Sequence, residues 1–300
     1  MVNAVNKAPV ARKVMQSVLG VHKDRILPEY TSQHFRGTAR PDSSFPVKGG
    51  KSAPGKVAIF STCYVNYNEP GIGHDLLKIL QHNEVPAIVV EKEACCGMPK
   101  LELGDLDAVA KLKQANIPVL AKLAREGYAI LTAVPSCTLM FKQELPLMFP
   151  DDADVKAVQE AMFDPFEYLI MRKRDGLLKT DFKTPLGKVS YHIPCHLRVQ
   201  NMGQKTREVF ELVPQTEVNT VERCAGHDGT WGVKTEFFAD SMKIGRPVFR
   251  QMASTAPDYI SSDCAIAGRH IGQGIAEGGP GEGKSEKQHP LTLIRIAYGL

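Results

Sequence analysis

The chain reads as an α/β protein: two pseudo-symmetric copies of a parallel-sheet unit packed together, with cysteines at the carboxyl ends of the strands. Three observations predict this. Strand-length apolar runs alternate with helix-like runs along the chain, the pattern of a largely parallel sheet. The order of segments repeats, because GKVAIFSTC opens at Gly55 and GKVSYHIPC at Gly187, each with a cysteine eight positions after the glycine. All seven cysteines fall on that repeat and none lies outside it.

Residues 1–54 read as an N-terminal extension that closes on the linker-like run SSFPVKGGKSAPG. The first copy spans 55–180. KVAIF reads as a strand, HDLLKILQ as a helix and PAIVV as a strand. LDAVAKLKQANIPVLAKLAREG follows as a helical stretch that Pro118 is expected to interrupt, then YAILTAV as a strand. VKAVQEAMFDPFEYLIMRKRDGLL, a helix broken at Pro165, and the loop KTDFKTPLG join the copies. In the second copy, 181–271, KVSYHI, TEVNTV and DYISS read as strands, with helices near 206–212 and 235–252. In 272–300, the run GQGIAEGGPGEGKSEKQ has the composition of a flexible tail, and HPLTLIRIAYGL that of a short docked helix.

The cysteines form two parallel sets. The first is Cys63, Cys95-Cys96-Gly97 and Cys137; the second is Cys195, Cys224-Ala225-Gly226 and Cys264. The offsets between matching members are 132, 129 and 127, so the copies keep their order with little drift, as internal duplication requires. Each cysteine follows a strand. Strands of a parallel sheet end on one side, where open α/β sheets hold ligands, so residues distant in sequence converge there. Thiolates are soft ligands suited to iron–sulfur clusters and zinc. Gly97 and Gly226 permit tight turns and close approach of backbone, whose N–H groups can donate to sulfur.

Composition narrows the function classes. Hydrophobic residues make up 43% of the chain and charged residues 23%, ordinary for a globular protein. A formal charge of +4, with no basic run interleaved with aromatics, gives no nucleic-acid footprint. No apolar run approaches the ~18 residues of a membrane span, and the opening residues lack a secretory pattern. The expected location is therefore the cytoplasm, with peripheral association at the inner face of a membrane through a partner left open. Thiols stay reduced there, which favours ligand or redox roles over disulfides. No G-x-G-x-x-G after a strand and no Walker lysine motif is present, so nucleotide cofactors are not indicated.

The repeated cysteine pattern resembles the cysteine-rich CCG-domain family of iron–sulfur oxidoreductase subunits. That family includes the B subunit of heterodisulfide reductase and the C subunit of anaerobic glycerol-3-phosphate dehydrogenase. Cys63, Cys95, Cys96, Gly97 and Cys137 match the first copy, and Cys195, Cys224, Gly226 and Cys264 the second. PCHLRVQNMG and CAGHDGTWGVK look most like the glycerol-3-phosphate dehydrogenase C type and like relatives encoded beside rubrerythrin-like proteins. The resemblance implies an iron–sulfur electron-transfer subunit working with a redox partner, either ferredoxin-like or a flavoprotein. The ferredoxin run C-x-x-C-x-x-C-x-x-x-C-P of longer relatives is absent from these residues.

The copies depart from the family pattern differently. Val134 stands three before Cys137 where the family often has cysteine, leaving four thiolates, enough for a [4Fe–4S] cluster or zinc. Ala225 and Ala267 leave the second set with Cys195, Cys224 and Cys264, which need a further ligand or an open iron. His227, in the loop Gly226-His227-Asp228-Gly229, is the favoured fourth ligand, with Asp228 able to orient it; His192, His196 and His270 are the other candidates. Trp231 is expected to pack against this second site, whereas His22, His34, His74 and His82 read as surface or core residues. Two other functions compete: a zinc-stabilised assembly or binding protein, and a thiol or disulfide reductase, or a peroxide-stress electron carrier, with Cys95-Cys96 or an open iron as the reactive centre.

Overall fold

A computed structural model describes residues 2–278 and 286–300. The first sheet holds β1 (Lys56–Ile59), β2 (Ala87–Val89), β3 (Tyr128–Leu131) and β4 (Met162–Phe163), in the order β2-β1-β3-β4. The second holds β5 (Gly187–His192), β6 (Thr216–Val221), β7 (Tyr259–Ser262) and β8 (Glu286–Gln288), in the order β6-β5-β7-β8. All strand pairs in both are parallel. The two sheets thus share one topology, as the duplication requires. Val57, Ala58, Ala129, Ile130, Val189 and Tyr191 in the inner strands are fully buried. Helices cover both faces of a parallel sheet, which explains why these runs are continuously apolar rather than alternating.

The structure corrects several local readings. The helix Leu106–Arg125 runs unbroken through Pro118. Pro118 lies on its exposed side, where water can satisfy the carbonyl left without a donor. The break expected at Pro165 is present, between the helices Ala153–Ala161 and Pro165–Arg174, but β4 lies in it. Asp164 starts the second of these with a capping box: it accepts from the Phe166 N–H at 2.8 Å, and Glu167 reaches back to the Asp164 N–H at 3.2 Å. The run 272–288 is helical as far as Ala276 and forms β8 from Glu286; its residues 279–285 lie outside the described residues. The linker-like run before β1 is pinned: Asp175 accepts from the Ser52 and Ala53 N–H groups at 2.9 and 2.8 Å.

The units are joined by an exchange of helices. Pro165–Arg174 follows β4 and packs on Lys205–Phe210 of the second unit, bringing the Phe166 and Phe210 rings to 6.4 Å. The expected terminal helix, Pro290–Tyr298, follows β8 and packs on Pro70–His82 of the first unit. Both exchanged helices begin with proline after a capping side chain, Asp164 or His289, at an offset of 125 that continues the drift of the cysteines. One apolar core therefore runs through both units, from Val57 and Leu76 to Phe166, Tyr191, Phe210 and Leu293. Residues 20–40 strap across both. Thr235 N–H donates to the Gly20 carbonyl, Gln273 Nε2 to the Asp24 carbonyl, Thr31 N–H to the Tyr67 carbonyl, and Phe35 is buried against Gly73.

Asp75 ties the terminal helix to the first unit: Thr292 Oγ1 donates to it at 2.5 Å and Arg295 Nε lies 2.7 Å away. Asp75→Ala leaves both donors unpaired in a largely buried place. We expect it to cost about 2 kcal/mol in urea unfolding and to speed amide exchange in 290–298. An unchanged unfolding midpoint would show that the exchanged helix does not depend on this tie.

Candidate metal centre

All seven cysteines lie just beyond the carboxyl ends of their strands. Cys63 and Cys195 each open a short helix, Cys63–Tyr67 after β1 and Cys195–Arg198 after β5. Cys95-Cys96 and Cys224 occupy the turns after β2 and β6. Cys137 sits in the helix Pro135–Leu139 after β3, and Cys264 caps the helix Ala265–Ala276 after β7.

The first set meets in space. Cys63, Cys95, Cys96 and Cys137 line a cavity of about 160 Å³ whose other walls include Ile72, Ala133, Val134 and Ile266. The thiols contact one another. Cys63 and Cys96 donate to Cys95, which holds the Cys95 thiol far below its usual range; the Gly97 N–H adds to this, and burial opposes it. Cys63 rises because it donates to Cys95 and is then penalised by burial, and Cys96 rises because it bonds Cys137 and Cys95 in a buried place. The direction at Cys95 favours thiolate, the ligand form of sulfur.

The loop carrying Cys95 is held from two sides. Asn116, buried in the helix Leu106–Arg125, accepts from the Ala94 N–H at 2.8 Å and donates to the Cys95 carbonyl at 3.0 Å. The buried Glu93 carboxylate accepts from the Ser61 N–H at 2.9 Å and from the Ser61 hydroxyl, next to the β1 exit that carries Cys63. Asn116 and Ser61 gave no sequence signal. The repeated glutamate that opens both motifs, Glu93 and Glu222, was the available one.

The second set lines a neighbouring cavity of about 330 Å³, with Cys195, Cys224, Cys264, His192, His196, His227 and Asp228 in its walls. Cys195 and Cys224 reach solvent. The Cys195 thiol is raised by partial burial and then by Cys224 beside it; Cys264 is raised by burial, against donation from the Ala267 and Ile266 N–H groups. The expected backbone donors to sulfur are present in this set, from Gly226 to Cys224 at 3.4 Å and from Ala267 to Cys264 at 3.5 Å.

The histidines separate by their partners. His192 contacts Ser262 Oγ at 3.1 Å and the Arg223 carbonyl at 2.9 Å, so both ring nitrogens are engaged. His196 faces Glu102 at 3.8 Å. His270 contacts Arg25 and packs edge-on to Phe249, away from the cavity walls. His227 lines the cavity, and its Nδ1 is buried without a hydrogen-bond partner. Burial, and then Arg25, depress its pKa to about 4, so the ring is neutral, the form that ligates metals. No hydrogen bond joins Asp228 to His227 among the described residues; the Asp228 carbonyl instead accepts from the Trp231 N–H at 2.7 Å. Trp231 stacks on Phe237 at 5.2 Å and is not in the cavity wall, contrary to the expectation. His22, His34, His74 and His82 pack on Phe238, Tyr67, Phe35 and Tyr298 and line neither cavity, as expected.

Among the described residues, no group of three or more His, Cys, Asp or Glu side chains is arranged to hold a metal ion. The first set is instead closed by thiol–thiol contacts, which must part to admit a metal group. The donor chemistry fits such a group: four thiols around one cavity, and in the second cavity three thiols with an orphaned neutral imidazole nitrogen.

The glycines beside the two sets differ in how tightly they are constrained. Gly226 has φ +77°, and a Cβ there would meet the Ser241 carbonyl oxygen at 2.2 Å. Gly97 has φ +103°, but its Cβ would press only on the flexible end of Met140, at 3.3 Å, with Leu112 and Val109 at an ordinary 3.9 Å. Gly97→Ala should cost about 1–3 kcal/mol from backbone conformation alone. Gly226→Ala should cost more and should displace the Cys224 turn. Denaturant melts of the two variants test this, and the reverse order of stability would refute it.

Comparison with known proteins agrees with this geometry. The family model described as "Cysteine-rich domain" (CCG) matches twice, over residues 57–142 and 189–271. The C subunit of the anaerobic glycerol-3-phosphate dehydrogenase of Escherichia coli K12 is 27% identical over 299 residues, which cover 99% of this chain and 72% of that protein. The B subunit of the fumarate reductase (CoM/CoB) of Methanothermobacter marburgensis is 27% identical over 91% of this chain, which spans 53% of that protein's length. An iron–sulfur protein of Methanocaldococcus jannaschii is 26% identical over 72% of this chain and 41% of its own length. With both copies of the motif matched and every cysteine at a strand end, the chain belongs to the cysteine-rich CCG-domain family.

Proposed function

We propose that the chain is an iron–sulfur electron-transfer subunit of an oxidoreductase, with Cys63, Cys95, Cys96 and Cys137 holding a [4Fe–4S] cluster. The observation that carries this reading is the convergence of those four thiols on one cavity. Such a cluster supplies reversible one-electron storage, at a potential set by hydrogen bonds to sulfur and by exposure. Around it, the residues of the chain hold and insulate. Asn116 and Glu93 fix the turn that carries Cys95 and Cys96. Ile72, Ala133 and Val134 give the cavity an apolar wall, and Cys96 and Cys137 are buried against it, whereas Cys63 reaches solvent.

The second cavity offers Cys195, Cys224, Cys264 and the neutral imidazole of His227. It is the larger and more open of the two, and suits a second cluster or a site where an acceptor meets the chain. Pro99 and Ser136 line both cavities, so the sites are close neighbours, as an electron relay requires. Two relatives are by name subunits of larger enzymes, which supports a redox partner that brings or removes electrons, ferredoxin-like or a flavoprotein. Among the described residues, no helix is long and apolar enough to cross a membrane.

Anaerobic purification with iron and sulfide analysis tests the reading. We expect labile sulfide with iron and a visible absorbance that bleaches on reduction. Zinc without labile sulfide would overturn it. Cys63→Ser should remove most of the absorbance assigned to the first site, whereas His227→Ala should leave that part intact and alter only the second.

A further inference from the structure

The strap of residues 20–40 carries a buried cation to the turn behind the second cavity. Arg25 is buried, and among the described residues no carboxylate touches it. Its Nη1 contacts His270 Nδ1. Its Nη2 lies over Gly232, where a Cβ would come within 3.3 Å of Nη2 and 2.7 Å of Ser241 Oγ. Burial lowers its pKa to about 10, so the charge is kept at a cost to stability.

The backbone of the strap fixes where Arg25 goes. Arg12, also buried, donates from Nη2 to the His22 and Arg25 carbonyls, both at 2.6 Å, and from Nε to the Lys23 carbonyl at 3.0 Å. Gln273, on the helix Ala265–Ala276, grips the strap on either side of Arg25. Its Oε1 accepts from the Ile26 N–H at 3.2 Å, and its Nε2 donates to the Asp24 carbonyl at 2.7 Å. Helix positions three apart are neighbours on one face, so His270 and Gln273 meet the strap together.

A guanidinium can only donate. The contact with Arg25 therefore makes His270 Nδ1 the acceptor and leaves the ring proton on Nε2. The ring lies against the Ala225 and Ser241 carbonyls, and Nε2 is buried and makes no completed hydrogen bond. In the other tautomer, an N–H would face Arg25 and a lone pair would face two carbonyl oxygens. Ser241 Oγ in turn donates to the Gly226 carbonyl at 2.6 Å. The carbonyls of Ala225 and Gly226 thus meet two side chains that lie beside Arg25. They belong to the turn that carries Cys224 and His227, and the His227 ring is 6.0 Å from His270.

We propose that Arg25 is a positioning residue of the second site, holding the Cys224–His227 turn through the orientation and tautomer of His270. The second cavity is then completed from the strap, an element outside both sheets. The inference deepens the reading of that cavity given above, and its test needs no metal.

The test uses the full chain, metal-free and reduced, with its histidines labelled with ¹⁵N. His270, assigned by the signals lost in His270→Gln, should show a protonated Nε2 and an unprotonated Nδ1. A proton on Nδ1 in the wild-type chain would overturn the proposal without any variant. Arg25→Met should mix the His270 tautomers and speed iodoacetamide alkylation of Cys224 severalfold relative to Cys63 in the same chain. Arg25→Lys keeps a donor and should fall between the two. Asn68→Ala loosens the strap elsewhere, because Asn68 Nδ2 donates to the Glu29 carbonyl at 2.7 Å, and should leave both readings unchanged. Equal effects of Arg25→Met and Asn68→Ala would reduce Arg25 to a strap anchor and overturn the proposal. So would an unchanged tautomer and Cys224 rate in both Arg25 variants. A chain that takes up no iron and sulfide overturns the proposed function and not this inference.

Discussion

The exchange of one helix between units fixes everything else in this molecule. A four-stranded parallel sheet must be covered on both faces, and each unit borrows part of that cover from the other. Pro165–Arg174 covers the second unit, and Pro290–Tyr298 the first. The units consequently share a core through Phe166, Phe210, Leu291 and Leu293 instead of meeting at a thin interface. Their carboxyl-end faces are held next to each other, which is why two sets of thiols lie in adjoining cavities.

That constraint explains what was legible in the sequence. The strands were visible because buried parallel strands are short apolar runs, and the cysteines because a duplicated spacing is hard to produce by packing alone. β4 and β8 were not, for a physical reason. Edge strands are short and can be polar, and Met162–Phe163 and Glu286–Gln288 offer too little pattern to separate from their neighbours. The exchange itself was invisible, because an amphipathic helix declares an apolar face without declaring the partner. Pro118 misled by composition: it removes one hydrogen bond and crowds the carbonyl a turn before it, but on the exposed side of a long helix that carbonyl can turn to water and the helix continues.

The site was legible to the level of residue type and not to the level of support. Cys63, Cys95, Cys96 and Cys137 meet, and His227 is the histidine that lines the second cavity and has a buried, unpartnered Nδ1. Asn116 lies 21 residues after the Cys95 carbonyl it bonds, on a helix whose pattern reports only packing. Tyr191, Thr206 and His289 converge on Asp263 from three elements. Contacts of this kind depend on how the elements are stacked, which local spacing does not encode. Trp231 shows the converse error: seven residues from Cys224, it turns to Phe237 because the intervening Gly229 and the turn at Asp228 redirect the chain.

The two copies have kept their topology and diverged in their donors. The first set is small, apolar-walled and rich in thiols. The second is wider, reaches solvent at Cys195 and Cys224, and replaces thiols with Ala225 and Ala267. The first cavity is the narrower of the two, although Cys63 reaches solvent beside it as Cys195 and Cys224 do in the second. The residues common to both cavities are Pro99 and Ser136 of the first unit and Cys264 and Ile266 of the second, in and after the turn that Asp263 anchors beyond β7. Any change that moves β7 or the helix Ala265–Ala276 therefore acts on both cavities at once, and the asymmetry of the sites and their coupling have one structural origin.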